Sequence, residues 1–204
     1  MTSNIDRIFY INLDRRSDRR ESIENELKKC ELTYMAERFV GIPFEPGIVG
    51  CGKSHLAVMK LAKERGYKNV LILEDDFAFL VDKPELESAL TRFFDEVKQY
   101  DVCMFCCNMV SQDDCNQYPY LKRIVEASNA SAYLINGHYL DTLIALYEEA
   151  LPLLEQTGYH WIYANDQVWK KLQLTDIWYC FSPRLGKQLS GYSDNAKQFM
   201  DYDT

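Results

Sequence analysis

Val70, Leu71, Ile72 and Leu73 run directly into Glu74, Asp75 and Asp76. Four apolar, mostly branched residues in a row have the character of a strand buried on both faces. Three carboxylates where such a strand leaves its sheet repel one another unless a cation neutralises them. Oxygen-only ligands suit Mg²⁺ or Mn²⁺, ions usually shared with the phosphates of a nucleotide. The alternative is an acidic loop after a core strand, since acids are common in loops.

Two further clusters carry chemistry. Asp14, Arg15, Arg16, Ser17, Asp18, Arg19 and Arg20 follow an apolar run over residues 7–13. A helix should follow, capped by Ser17 or Asp18, with Ile23, Leu27 and Cys30 on its inner face. Arg15, Arg16, Arg19 and Arg20 oppose the dipole at that end, which points to a supplied anion such as a diphosphate. A solvated helix start is the plainer reading. The third cluster is Asn165, Asp166 and Gln167, preceded by Tyr159, His160, Trp161, Ile162 and Tyr163. Asn165 or Asp166 could cap a helix. Asp166 could equally be a carboxylate beside an aromatic wall, placed to take a proton from a sugar hydroxyl. His55, His138 and His160 fall on separate elements without metal-ligand spacing and read as structural or peripheral.

Gly47, Ile48, Val49, Gly50, Cys51, Gly52, Lys53 and Ser54 fit the phosphate-loop pattern G-x-x-x-x-G-K-[ST] at every position. A phosphate loop must leave a buried strand, and here Pro43, Phe44, Glu45 and Pro46 precede it, which cannot run through a central strand. A nucleotide hydrolase or kinase built on this segment is therefore kept as an alternative.

The 204 residues suffice for one well-cored domain, and 47% hydrophobic with 26% charged residues is ordinary for a globular chain. A net charge of −8 argues against a nucleic-acid partner. The start, from Met1 to Arg7, is polar with no signal-type core after it. No stretch reaches the ~20 apolar residues of a membrane helix. Seven cysteines are an odd number and fit poorly with a disulfide framework. Cys103 and Cys106 have zinc-knuckle spacing, but Cys115 alone does not supply a second pair, so reduced core thiols are the better reading. The expectation is a soluble, cytoplasmic protein.

The elements that must position these groups alternate. Strands are expected over 7–13, 38–42, 70–74, 101–107, 123–125, 132–135 and 177–181. Helices are expected from Ser17 onward, over 54–65 with a stop at Gly66, from Pro84 to about residue 100, over 137–156 with a kink or break at Pro152, and over 164–172. Irregular loops are expected around Pro43 to Gly50 and over 111–120, and the tail after Pro183 is polar. This is one α/β domain over residues 1–204, whose ligands belong at the carboxyl ends of strands.

Taken together, the segments resemble the family-25 glycosyltransferases, the group of lipopolysaccharide and collagen galactosyltransferases. The resemblance rests on Ile11 to Arg16 with Asp18 and Arg19, on Gly50 and Cys51 with Ser54, His55 and Leu56, and on Leu73 to Asp76. It continues through Ser131 to Ile135, Asp166, Pro183, and Ser193 with Asp194. These pieces stand in order along nearly the whole chain, and Gly50-Cys51-x-x-Ser54-His55 accounts for the apparent phosphate loop. Two departures, no signal segment and a short chain, leave the acceptor open.

The resemblance implies a GT-A type fold, a Rossmann-like mixed sheet flanked by helices. It implies a metal-dependent, inverting transfer from a nucleotide-sugar donor, a UDP-sugar first, to a glycan or glycoprotein hydroxyl. Glu74 and Asp76 would hold Mn²⁺ or Mg²⁺, with Asp75 beside them, and Asp166 would be the base. Asn12, Leu13, Asp14 and Arg15 would border the base and ribose. Arg19 would meet the donor as well, and Ser54, with Lys53 beside it, would lie near the ribose or phosphates. A non-catalytic sugar-binding module on the same fold is the other alternative. The nucleotide, sugar, acceptor and oligomeric state are not specified.

Overall fold

The computed structural model describes residues 4–193 and 197–202, so Asp194 of the closing motif lies outside the described residues. The elements in chain order are β1 (Arg7–Asn12), α1 (Ser17–Lys29), β2 (Ala36–Val40), α2 (Gly47–Glu64), β3 (Asn69–Glu74) and β4 (Phe77–Phe79). They continue with α3 (Lys83–Glu96), β5 (Val102–Met104), β6 (Asn108–Asp114), β7 (Leu121–Ser128), β8 (Ala132–Asn136), a 3₁₀ turn (Gly137–Tyr139) and α4 (Leu140–Thr157). The last are α5 (His160–Tyr163), α6 (Asn165–Val168), α7 (Lys170–Gln173), β9 (Trp178–Phe181), β10 (Gly186–Gln188), β11 (Gly191–Ser193) and β12 (Gln198–Met200).

Eight strands form one mixed sheet in the order β2-β1-β3-β8-β5-β9-β7-β6. The β2-β1-β3 trio is parallel, and β8 runs antiparallel between β3 and β5. Apolar side chains alternate between the two faces. Ile8, Tyr10, Leu71 and Leu73 pack with Ile23 and Leu27 of α1 and Leu86, Leu90 and Phe93 of α3. Phe9, Val70 and Ile72 pack on the other side with Val58 and Met59 of α2, Leu143 and Tyr147 of α4, and Trp169. Two buried faces explain the unbroken apolar run before the acids. The result is the expected α/β arrangement, a mixed sheet flanked by helices.

Local signals hold at several ends. Asp82 and Glu85 form a reciprocal capping box at α3, with Pro84 in its first turn. Gly66 and Gly158, at φ +67° and +68°, follow α2 and α4 in the left-handed region where a Cβ is unfavourable.

Several expectations are corrected. Arg16 is the N-terminal flanking residue of α1, and neither Ser17 nor Asp18 caps it. The irregular segment ends sooner than expected, because α2 already begins at Gly47. This removes the phosphate-loop reading: Gly47 to Ser54 are helix, with their N–H groups largely committed to helical bonds. The expected loop over 111–120 is partly strand β6, an exposed edge strand paired with β7. It carries no apolar alternation because neither face is buried. Helix α4 continues through Pro152 to Thr157. The helix expected over 164–172 is two short pieces separated by the fully buried Trp169. The polar tail contributes β10, which pairs with β4, and the β11–β12 ribbon.

Candidate active site

Because β1 and β3 are parallel neighbours, their carboxyl ends reach one edge of the sheet, where α/β folds hold ligands. A cleft of about 140 Å³ opens there. Leu13, Arg15, Arg16 and Arg19 line one side, Ile42, Pro43 and Phe44 another, and Cys51, His55, Glu74, Asp75 and Asp76 the floor. Gln188, Ser193 and Tyr202 close it from the tail.

The loop wall is held against α2 by a tight clasp. Ser54 Oγ donates to the Gly50 carbonyl (2.7 Å) and accepts from Ile42 N–H (2.8 Å). A Cβ on Gly50 would lie 2.5 Å from the Ile42 carbonyl, so only glycine allows that approach. Ser54 thus borders the cleft with its hydroxyl spent on the loop. Lys53 turns elsewhere, onto Glu155 (2.8 Å) and over the Phe44 ring (3.7 Å).

The three acids divide into two environments. Glu74 Oε1 accepts from the Cys51 thiol (3.4 Å) and meets His55 Nε2 at 3.0 Å. His55 Nδ1 is in turn 2.7 Å from the Tyr133 hydroxyl. Burial pushes Glu74 upward, but the His55 contact, the thiol and Arg19 outweigh it, leaving its carboxyl below the usual range. Burial, then Glu74, drives Cys51 well above the ordinary thiol range, so the sulfur keeps its proton and donates.

Asp75 and Asp76 share Arg19, whose Nη1 lies 3.1 Å from Asp75 Oδ1 and 2.9 Å from Asp76 Oδ2. Asn12 Nδ2 donates to Asp75 Oδ2 at 2.7 Å, its orientation fixed by Arg38 donating to Asn12 Oδ1 at 2.8 Å. Arg38 also holds the exposed Asp14 (2.7 Å). Asp75 is raised by burial against the pull of Asn12 and Arg19. Asp76 is raised further, to about 7, by burial and then by Glu74.

A divalent cation fits this floor. Asp75 and Asp76 share the Arg19 guanidinium beside the Glu74 carboxylate, and Asp76 Oδ1 is buried with no hydrogen-bond partner among the described residues. Cys51, His55 and Glu74 also bring their ligand atoms within 4.8 Å of one another. That sulfur–nitrogen–oxygen set suits a softer ion, and its atoms already satisfy one another through the contacts above. The unsatisfied oxygen is on Asp76, a hard ligand that suits Mn²⁺ or Mg²⁺.

Asp166 stands just outside the residues lining the cleft. It does not cap α6, whose N-terminal flanking residue is Ala164 without a side-chain cap. Its Oδ2 accepts instead from Asn129 N–H (3.0 Å) and its Oδ1 from Gln167 Nε2 (3.2 Å). Neighbouring Asn165 reaches Cys51 Sγ (3.7 Å), joining α6 to the cleft floor.

Asn129 and Gln188 were not singled out from sequence, Cys51 was named in a motif without a role, and His55 was read as structural or peripheral, whereas His55 holds Glu74. Positions 51 and 55 are four apart on one helix, so they share a face, a signal that was available. Gln188 gave none: it stands in a polar tail 112 residues from Asp76.

The architecture is of the GT-A type, as expected from sequence. It superposes on a glycosyltransferase involved in glycosylation of the major capsid of PBCV-1, with TM-score 0.56 and 9% identity over 86% of this chain and 81% of that one. A197 from STIV superposes with TM-score 0.51 and 10% identity over 98% and 95% of the two chains. In sequence, the chain resembles a glycosyltransferase 25 family member of Drosophila melanogaster, 30% identical over 133 residues. That match covers 50% of this chain and 21% of the fly protein. A protein of Acanthamoeba polyphaga mimivirus named provisionally as a glycosyltransferase, R655, is 28% identical over 129 residues, 53% of this chain and 39% of its own. The aligned part therefore spans well under half the length of either relative. No family model matches it. Among the described residues no helix is long and apolar enough to cross a membrane.

Proposed function

We propose that the chain is a glycosyltransferase domain that moves a sugar from a nucleotide-diphosphate donor, a UDP-sugar first, to a hydroxyl of a glycan or glycoprotein. The proposed reaction inverts the anomeric centre and uses Mn²⁺ or Mg²⁺. The observation that carries this reading is the floor of the cleft, where Asp76 presents a buried oxygen without a partner among the described residues, beside Glu74, Asp75 and Arg19.

Asp76 would hold the cation through Oδ1, with Glu74 and Asp75 adding negative charge nearby. Bound there, the ion would neutralise charge developing on the leaving diphosphate. Arg19, with Arg15 and Arg16 in the same cleft, supplies guanidinium donors suited to phosphate oxygens. Leu13, Pro43 and Phe44 offer apolar surface for the base and ribose. Asn12 acts at one remove, by orienting Asp75. Asp166 would take the proton of the attacking hydroxyl, its carboxylate held by Asn129 N–H and Gln167.

A thermal-shift screen of nucleotide-sugars and nucleoside triphosphates, each with and without Mn²⁺, tests the donor class. The largest rise is expected for a UDP-sugar with Mn²⁺, accompanied by slow metal-dependent hydrolysis of the donor. Protection by ATP or GTP alone would contradict it. Protection without any donor turnover would point to a sugar-binding module.

A further inference from the structure

Four residues from three separate stretches of the chain form one directional line of hydrogen bonds. Ser131 N–H donates to Asn129 Oδ1 at 2.7 Å, so the Asn129 amide nitrogen must face the other way. It does, donating to Gln188 Oε1 at 3.1 Å. Gln188 Nε2 is thereby turned to Asp76 Oδ2, 3.2 Å away. A backbone N–H cannot accept, so it sets the polarity of both amides, and neither can flip without losing a bond. The backbone adds to the restraint. Gln188 sits opposite Phe77 in the β10–β4 pair, and Leu189 N–H donates to the Asp76 carbonyl at 2.7 Å. Asn129 lies in the left-handed region at φ +79° and spends its own N–H on Asp166.

We infer that Gln188, oriented by Asn129, is a positioning residue for the cation site. Its N–H ties down Asp76 Oδ2 together with Arg19, which leaves Oδ1 as the oxygen presented to a hard divalent cation. In its fixed orientation Gln188 presents a donor to Asp76, so it acts through the aspartate and is not a ligand. The same asparagine fixes Asp166 through its backbone, so one residue sets the placement of both carboxylates. The inference rests on the cation reading above. Partners that orient a ligating carboxylate typically contribute 10–100-fold in metal affinity.

The test titrates Mn²⁺ alone into the wild type, Gln188→Leu and Asn129→Gly, reading free Mn²⁺ by electron paramagnetic resonance and recording melting curves. Glycine adopts φ +79° freely and keeps the N–H to Asp166, so Asn129→Gly removes the amide that orients Gln188, together with the acceptor of Ser131 N–H, and spares the backbone bond to Asp166. Both variants are expected to bind Mn²⁺ about 10–100-fold more weakly than wild type while melting cooperatively. If Gln188→Leu does not fold, Asn129→Gly decides the question alone. Unchanged Mn²⁺ affinity in folded variants, with only a lowered Tm, would overturn the inference and leave the cation site standing. No Mn²⁺ binding by the wild type would overturn the cation reading and this inference with it.

Discussion

Arg19 and Asp76, 57 residues apart, meet at 2.9 Å on the floor of the cleft, and the same Nη1 also reaches Asp75. One guanidinium therefore serves two buried aspartates, with the Glu74 carboxylate close enough to raise Asp76 further. The negative charge exceeds what Arg19 balances. That imbalance gives the first prediction.

In protein freed of metal by chelation, stability should fall as pH rises from about 5.5 to about 7. Asp76 has a folded-state pKa raised from 3.8 to about 7, so the native state holds its proton more tightly than the unfolded chain does. The cost of ionising it accumulates between those values and is fully present above the upper one. Asp75 contributes with the same sign. Glu74, shifted down, contributes stability already in place by pH 5.5. The loss is on the order of 2 kcal/mol, several degrees in Tm. Melting curves of wild type and Asp76→Asn check this, and the variant should show a flatter profile. Equal slopes would remove Asp76 as the source.

Gly50→Ala should destabilise the fold by roughly 1–3 kcal/mol and weaken donor binding. The added methyl would meet the Ile42 carbonyl at 2.5 Å and the Phe44 backbone nitrogen at 3.1 Å, and backbone yields less easily than a side-chain end. Displacing that loop opens the clasp made by Ser54 and moves the wall of the cleft. Chemical denaturation and a donor titration read the two effects. A variant as stable as wild type would show that the loop gives way freely.

Much of this was legible in the chain, for physical reasons. The run Val70 to Leu73 announced a doubly buried strand because burial on both faces demands unbroken apolarity, and the acids after it marked the carboxyl edge of the sheet. Asn12 and Arg19, expected near the donor, do reach that edge, where they hold Asp75 and Asp76. Strand β6 was illegible because an exposed edge strand buries neither face and leaves no period to read. Gln188 was illegible for a different reason. Its place beside Asp76 comes from strand pairing between β10 and β4, a long-range contact that local pattern does not encode. The phosphate-loop match shows the converse, a perfect local pattern that α2 absorbs as helix.

Asp166→Asn should lower transfer to acceptor about 10²–10⁴-fold while leaving donor and Mn²⁺ affinity within a few-fold of wild type. Asparagine keeps an oxygen for Asn129 N–H and gives up the bond from Gln167, so the backbone contact survives while proton affinity is lost. Steady-state kinetics at saturating acceptor, with a donor titration beside it, separates kcat from binding. Unchanged kcat would exclude Asp166 as the base.

Asp76 is proposed to hold the cation on which donor binding depends. Isothermal calorimetry of a UDP-sugar into wild-type and Asp76→Ala protein, each with and without Mn²⁺, tests it most directly. Wild type should bind the donor far more tightly with Mn²⁺ than without, and Asp76→Ala should lose that enhancement while remaining folded. An Asp76→Ala protein that binds the donor with the full Mn²⁺-dependent gain would contradict the account.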